Sequence, residues 1–319
     1  MSLSTGEPVS VRPVGSAIEV AGLTKRYDGR TVVDSISFEV RNGECFGILG
    51  PNGAGKTTTL EMVEGLRRPD GGTVSLLGTS PWPRDTSLLR RIGVQLQATA
   101  FIEHLTSIEQ LRTVTDLYGV PATRAEEVLE QVGLTDAADR DVDALSGGQR
   151  QRLSIACALV HRPEVLFLDE PSAGLDPGAR RNLWDVVRTA RRDDTTVVLT
   201  THHMDEAEQL CDRVAIMDRG EILALDTPAE LVRRLDAPTR LMLPPGSLSD
   251  DQAHGVDGVE SVERDAGAVT LVTRRAADSI QALAALGTLD GLQVRSGTLE
   301  DVFITLTGRQ LAEPTEEAP

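Results

Sequence analysis

The sequence predicts an α/β protein: a large domain with a mixed, mostly parallel sheet core and an inserted helical subdomain, followed by a small α+β domain. Three observations lead there. Short apolar runs alternate with helix-like runs, strand signals give way to helical periodicity near the middle, and a Pro- and Gly-containing break past Leu235 separates off a set of short strands and helices. At 319 residues and 40% apolar content, the chain can bury a sizeable core.

In chain order, residues 1–16 read as a disordered tail that lacks the charged-then-apolar pattern of an export signal. The runs AIEVAGL, TVVDSISFEV, ECFGIL, VLFLD, TVVLTT and VAIMD are strand candidates of a domain spanning 17–237. VLFLD and TVVLTT suit strands covered on both faces. Between about 98 and 160, Val128, Leu129, Val132 and Leu134 fit one helical face and Leu153, Ile155 and Leu159 another, which gives the inserted subdomain. Asp236, Pro238, Pro244, Pro245 and Gly246 then mark a boundary. The small domain covers 238–310, with strands at Val259–Arg264, Ala268–Thr273 and Leu292–Ser296 and helices at Ala276–Leu286 and Leu299–Leu306. Residues 311–319 read as an acidic tail.

Composition narrows the function classes. A formal net charge of −17 repels polyanions at long range, so neither nucleic acid nor an anionic lipid surface is expected as a general partner. No run reaches the roughly 18 apolar residues of a membrane-spanning helix, which places the chain in the cytoplasm as an expectation. Cys45, Cys157 and Cys211 are odd in number, widely spaced and without a CxxC pair, as for reduced core thiols. Aromatic content is only 3%, so a single aromatic such as Tyr27 carries information.

Chemistry concentrates in a few segments. ECFGIL runs into GPNGAGKTT, Gly50 to Thr58, and then a helix-like stretch, the strand, loop and helix order of a phosphate cradle. Its glycines Gly50, Gly53 and Gly55 let backbone N–H groups turn inward, the helix aims its positive end at the phosphates, Lys56 contacts the outer ones, and Thr57 offers a hydroxyl to Mg²⁺. Further on, VLFLDEP sets Asp169 and Glu170 at the end of a buried strand, a costly place for two carboxylates without a positive partner. Mg²⁺ supplies one: Asp169 fits a metal-holding carboxylate acting through water, and Glu170 is placed to polarise the water that attacks the γ-phosphate.

LSGGQRQRL, Leu145 to Leu153, precedes that strand, and the order GPNGAGKTT, LSGGQ, LFLDEP, SAGLDP, TTH closely resembles the ATP-binding-cassette ATPases over about residues 17–237. The resemblance implies their P-loop NTPase fold, ATP with Mg²⁺ as cofactors, and ATP hydrolysis coupled to transport. It implies ATP binding by Tyr27, stacking on adenine, by Gly50, Pro51, Asn52, Gly53, Ala54, Gly55, Lys56, Thr57 and Thr58, and by Asp169. The implied catalytic residues are Glu170, His202 rather than His203, and Gln97, which the register of IGVQLQ favours over Gln95. Thr57, Gln97 and Asp169 would hold Mg²⁺, partly through water. In the family, Leu145, Ser146, Gly147, Gly148 and Gln149 act on nucleotide bound to a second copy, with Asp176 in a loop that crosses between the copies; the implied assembly is a homodimer with two sites.

The C-terminal run GTLEDVFITLTGR, Gly297 to Arg309, resembles the tail of daunorubicin-resistance type multidrug exporter ATPases, and also reads as an amphipathic helix packing Leu299, Val302, Phe303 and Leu306. The resemblance implies export of drugs, antibiotics or lipid-like molecules by one or two separate membrane permease subunits, with this chain on the cytoplasmic face of the cell membrane. An importer ATPase, or a soluble cassette ATPase acting on ribosomes or DNA, is the alternative.

Overall fold

The computed structural model describes residues 15–96, 101–192, 194–265 and 267–309; Gln97, the expected tail at 311–319 and most of that at 1–16 lie outside them. Two compact units divide the chain between Asp226 and Thr227.

The first unit opens with β1 (Ser16–Tyr27) and β2 (Arg30–Arg41), an antiparallel hairpin turned through Asp28 and Gly29, both at positive φ. Ser16, expected in the tail, pairs with Arg41 as the first rung of this ladder. β3 (Cys45–Leu49), buried throughout, leads into α1 (Lys56–Val63). β4 (Gly71–Leu76) pairs with the free edge of β1, completing a three-stranded sheet of order β2-β1-β4. After the short α2 (Thr86–Leu89) and β5 (Ile92–Gln95) come α3 (Ser107–Tyr118), α4 (Thr123–Gln131) and α5 (Gly147–Leu159). They bury Leu111, Val128, Leu129, Leu153 and Ile155.

β6 (Val165–Asp169), α6 (Pro177–Arg192), β7 (Thr196–Thr201), α7 (Met204–Leu210), β8 (Arg213–Asp218) and β9 (Glu221–Asp226) complete the unit. The second sheet has the order β5-β6-β7-β3-β8-β9, parallel except for the β8–β9 hairpin. β6 and β7 are buried at every residue, whereas β1 and β2 mix buried with exposed positions along their length. That difference explains why the first two strands leave the parallel layer for an antiparallel sheet with one solvated face. A shared core of Ile18, Leu23, Phe38, Phe46, Leu60, Met62 and Phe167 clamps α1 among both sheets, and the Phe38 and Phe46 rings stack at 5.3 Å. Strand order places the C-terminal ends of β3, β6 and β7 side by side, at the start of α1.

The second unit starts with α8 (Pro228–Arg234) and contains β10 (Thr239–Leu243), α9 (Asp250–His254), β11 (Val259–Arg264), β12 (Val269–Thr273), α10 (Ala276–Ala285), β13 (Gln293–Arg295) and α11 (Leu299–Thr307). Its antiparallel sheet, of order β11-β12-β10-β13, buries Leu241, Leu243, Leu271 and Leu283. Two details differ from expectation. The break falls before α8 rather than near Ala237, because α8 packs against α11. The stretch read as a structural break contains β10: Pro238 and Pro244 flank this strand without interrupting it, and its alternate residues Leu241 and Leu243 face the core.

Candidate active site

Two glycines allow the loop between β3 and α1 to follow its path. A Cβ on Gly50 would lie 2.1 Å from the Met217 carbonyl oxygen, and one on Gly55, at φ +103°, 2.7 Å from that of Val32. Gly55 is also the N-cap of α1 and supplies no side-chain cap, so the first helical N–H groups stay available to an anion. The buried Lys56 ammonium curls back beneath the loop, donating to the carbonyls of Gly50 at 2.8 Å and Pro51 at 3.2 Å. Its other neighbour is a carboxylate, Glu170 Oε1, at 3.0 Å.

Asp169 and Glu170 sit at the end of β6 and meet different surroundings. Asp169 Oδ1 accepts from Thr57 Oγ1 at 3.1 Å and Thr200 Oγ1 at 2.5 Å, yet burial raises its pKa above the usual carboxylate range. Glu170 lies against His202, whose Nδ1 is 3.2 Å from Oε2, and against Lys56. These two neighbours, His202 foremost, hold it down at about 2 despite its burial. The His202 approach is off the line of a hydrogen bond, leaving Nδ1 without an aligned partner. Glu170 also occupies the left-handed region at φ 45°, which a residue with a side chain holds only when its surroundings insist.

Thr200 provides part of that insistence. Its hydroxyl donates to Asp169 and accepts from the Glu170 backbone N–H at 3.0 Å, so one fully buried side chain orients both acids. Sequence reasoning passed over it as part of an apolar strand; a threonine in a strand buried on both faces was the available signal. Glu64 was also missed. It is buried at the C-terminal end of α1, and burial, then the charges of Asp169 and Glu61, lift its carboxyl to about 8 against the opposing pull of Arg84.

Lys56, Thr57, Asp169, Glu170 and His202 are thus brought together. The donor set fits Mg²⁺ in kind: Thr57 and Asp169 present hard oxygens, and burial leaves the Asp169 carboxylate in want of a cation. The other expected residues lie elsewhere in the unit. Tyr27 is 36% exposed at the end of β1, with Lys25 Nζ and Arg67 Cζ at 5.5 and 5.4 Å from its ring centre. Ser146 caps α5 in a reciprocal pair with Gln149, its Oγ accepting from the Gln149 N–H and its own N–H donating to Gln149 Oε1. Leu145 is buried, Ser146 and Gly147 are exposed, and a Cβ on Gly148 would come 2.9 Å from that of Ala179. Among the described residues, none of the hydrogen bonds of Ser146 or Gln149 reaches Lys56, Glu170 or His202. The exposed Asp176 carboxylate caps α6, accepting from the N–H groups of Gly178 at 2.8 Å and Ala179 at 3.0 Å. Gln95 is buried and donates to its neighbour's carbonyl, that of Leu96, at 2.6 Å; Gln97 is outside the described residues.

The ABC transporter family model matches residues 33–173. Over 95% of its length and 96% of the relative's, the chain is 40% identical to the daunorubicin/doxorubicin resistance ATP-binding protein DrrA of Streptomyces peucetius. The chain belongs to the ABC transporter ATP-binding subunits. This ABC ATPase is also 38% identical to Nod factor export ATP-binding protein I of Ralstonia nicotianae, across 93% and 95% of the two chains. With the linearmycin resistance ATP-binding protein LnrL of Bacillus subtilis it shares 34%, across 93% and 100%. Among solved structures, an ATP-binding subunit of an ABC transporter superposes with a TM-score of 0.62 at 28% identity, covering 69% of this chain and 93% of its own. The dimeric bacterial cassette MJ0796 does so at 0.60 and 26%, covering 66% and 98%. The subunit therefore binds ATP and hydrolyses it.

Two measurements probe this geometry. Thr200→Val removes the bridge between the acids and leaves the Glu170 N–H unpaired; a loss of about 1–3 kcal/mol predicts steady-state turnover lowered roughly 5- to 150-fold. Glu64 is neutral in the folded chain up to about pH 8 but ionises near 4.5 when unfolded, so folding takes up a proton between those values. Its contribution is fully present below 4.5 and is lost as pH rises through about 8. Melting curves should show Glu64→Gln gaining stability over the parent at pH 8.5 and not at pH 5, by roughly 2–4 kcal/mol.

Proposed function

We propose that this subunit powers an exporter of drugs, antibiotics or lipid-like molecules, as one half of a homodimer bound to a separate membrane permease on the inner face of the cell membrane. The relatives carry the export reading: matches of 93–95% of this chain to a resistance, an export and a second resistance ATP-binding protein run through the C-terminal unit as well as the cassette. No helix among the described residues is long and apolar enough to cross a membrane, so a permease would supply the path.

At the site, the juxtaposition of Lys56, Asp169, Glu170 and His202 carries the mechanism. The N–H groups of the Gly50–Thr58 loop and the start of α1 bind the phosphates, Lys56 neutralises the outer ones, and Tyr27 stacks on the base. Thr57, Asp169 and Gln97 would hold Mg²⁺, which offsets charge on the phosphate oxygens. Glu170, ionised at neutral pH, accepts the proton of the attacking water, and His202 orients it towards the γ-phosphate. Leu145 to Gln149 of a second copy close the site from the far side, the exposed Ser146 and glycine N–H groups meeting the γ-phosphate, with Asp176 at the crossing between copies.

Glu170→Gln keeps the shape and removes the base. Turnover should fall at least a hundredfold while ATP still binds, and ATP should convert the variant to a stable dimer on gel filtration; normal turnover refutes the base assignment. Purification from native membranes should bring down an integral membrane protein, whereas recovery with ribosomes or DNA would refute the transporter reading.

A further inference from the structure

Behind His202, the first turn of α7 carries a carboxyl group that the mechanism above does not use. Glu206 has no exposed surface. Its Oε1 accepts from the Trp184 indole N–H of α6 at 3.3 Å, and the hydroxyls of Thr201, at the end of β7, and Ser172, in the turn after Glu170, lie beside the carboxyl. Arg180 contributes a nearby positive charge and is itself paired with Asp205 at 3.1 Å. Ser172 Oγ and Glu206 Oε2 are both buried and each lacks an aligned partner. Burial raises the pKa of Glu206, while the Thr201 and Ser172 hydroxyls and the Trp184 indole, as donors to the carboxylate, oppose part of that rise. A side chain serving only to fill this space would be apolar; a carboxyl buried among polar groups is retained at a cost.

The partners of Glu206 are the segments that hold the hydrolytic pair. Ser172 follows Glu170 by one proline, and Thr201 immediately precedes His202. Thr201 also accepts the His203 N–H at 2.9 Å through its hydroxyl and the Gly50 N–H at 3.2 Å through its carbonyl, which extends the connection to the phosphate loop. We propose that Glu206 is a positioning residue for ATP hydrolysis, tying the turn after Glu170 to the end of β7 and to α6 so that Glu170 and His202 keep their 3.2 Å contact. It rests on the assignment of those two residues to the hydrolytic step.

The test uses the full-length chain, with steady-state ATPase kinetics and nucleotide affinity measured for Glu206→Gln, Glu206→Ala and Glu206→Leu. Glutamine keeps the shape and an acceptor for the Trp184 N–H, and should keep kcat within about threefold of the parent. Alanine and leucine should lower kcat roughly tenfold or more while KM for ATP moves by less than about threefold. Leucine fills the volume and stands in if the alanine variant does not fold. Unchanged kcat in the leucine variant overturns the proposal, as does a glutamine variant as impaired as the others, or a parallel loss of ATP affinity. Glu170→Gln measured alongside separates the two levels: normal turnover there sinks the hydrolytic assignment itself, whatever Glu206 does.

Discussion

Two adjacent carboxylates at the end of a buried strand are the constraint around which this molecule is arranged. Asp169 and Glu170 leave β6 where the sheet covers them, and a buried acid needs a hydrogen-bond donor or a positive charge. Lys56 can meet that need only because β3 and β6 both lie next to β7, so that the loop following β3 opens beside the end of β6. The glycines that let the loop curl, the core that pins α1 beneath it and the threonines of β7 all follow from this placement.

The same surroundings give neighbouring acids opposite properties. Burial dominates at Asp169 and raises its pKa, since hydroxyls from Thr57 and Thr200 offset only part of the desolvation. At Glu170, His202 and Lys56 outweigh burial and keep the carboxylate ionised. In the mechanism proposed above, this separation leaves one acid to a cation and the other to act as base. Glu170 makes its contact with Lys56 from a left-handed backbone, a strained conformation for a residue with a side chain. Glu64 and Glu206 extend the pattern, as acids near the site whose pKa values burial raises, that of Glu64 to about 8.

Much of this was legible in the sequence where local chemistry dictates structure. Short runs rich in β-branched and apolar residues marked β6 and β7, the glycine-rich run ending in Lys56 and Thr57 marked the loop, and the paired acids of LFLDEP marked the site. Less legible were features that depend on distant pairing. β4, β5 and β9 are short or partly exposed and acquire their identity from neighbouring strands, and β10 is framed by prolines that mask it. The separate β2-β1-β4 sheet is a matter of pairing that burial alternation in β1 and β2 only hints at. Thr200 and Glu206 look ordinary in sequence, because what distinguishes them is which backbone and side-chain groups the fold sets opposite them.

One chain brings Glu170, Lys56 and His202 together, while the Ser146 to Gln149 turn stands apart with an exposed serine at the head of α5. In the reading developed here it completes the site of a second copy. The most direct test is an interchain cross-link: Asn52→Cys in one copy and Ser146→Cys in the other, in a chain whose native Cys45, Cys157 and Cys211 are replaced, oxidised with ATP in the presence of EDTA to prevent turnover. The account predicts a disulfide-linked dimer that forms with ATP and is scarce without it. Equal, negligible cross-linking with and without ATP would contradict the shared site and leave the Ser146 to Gln149 turn without its assigned role.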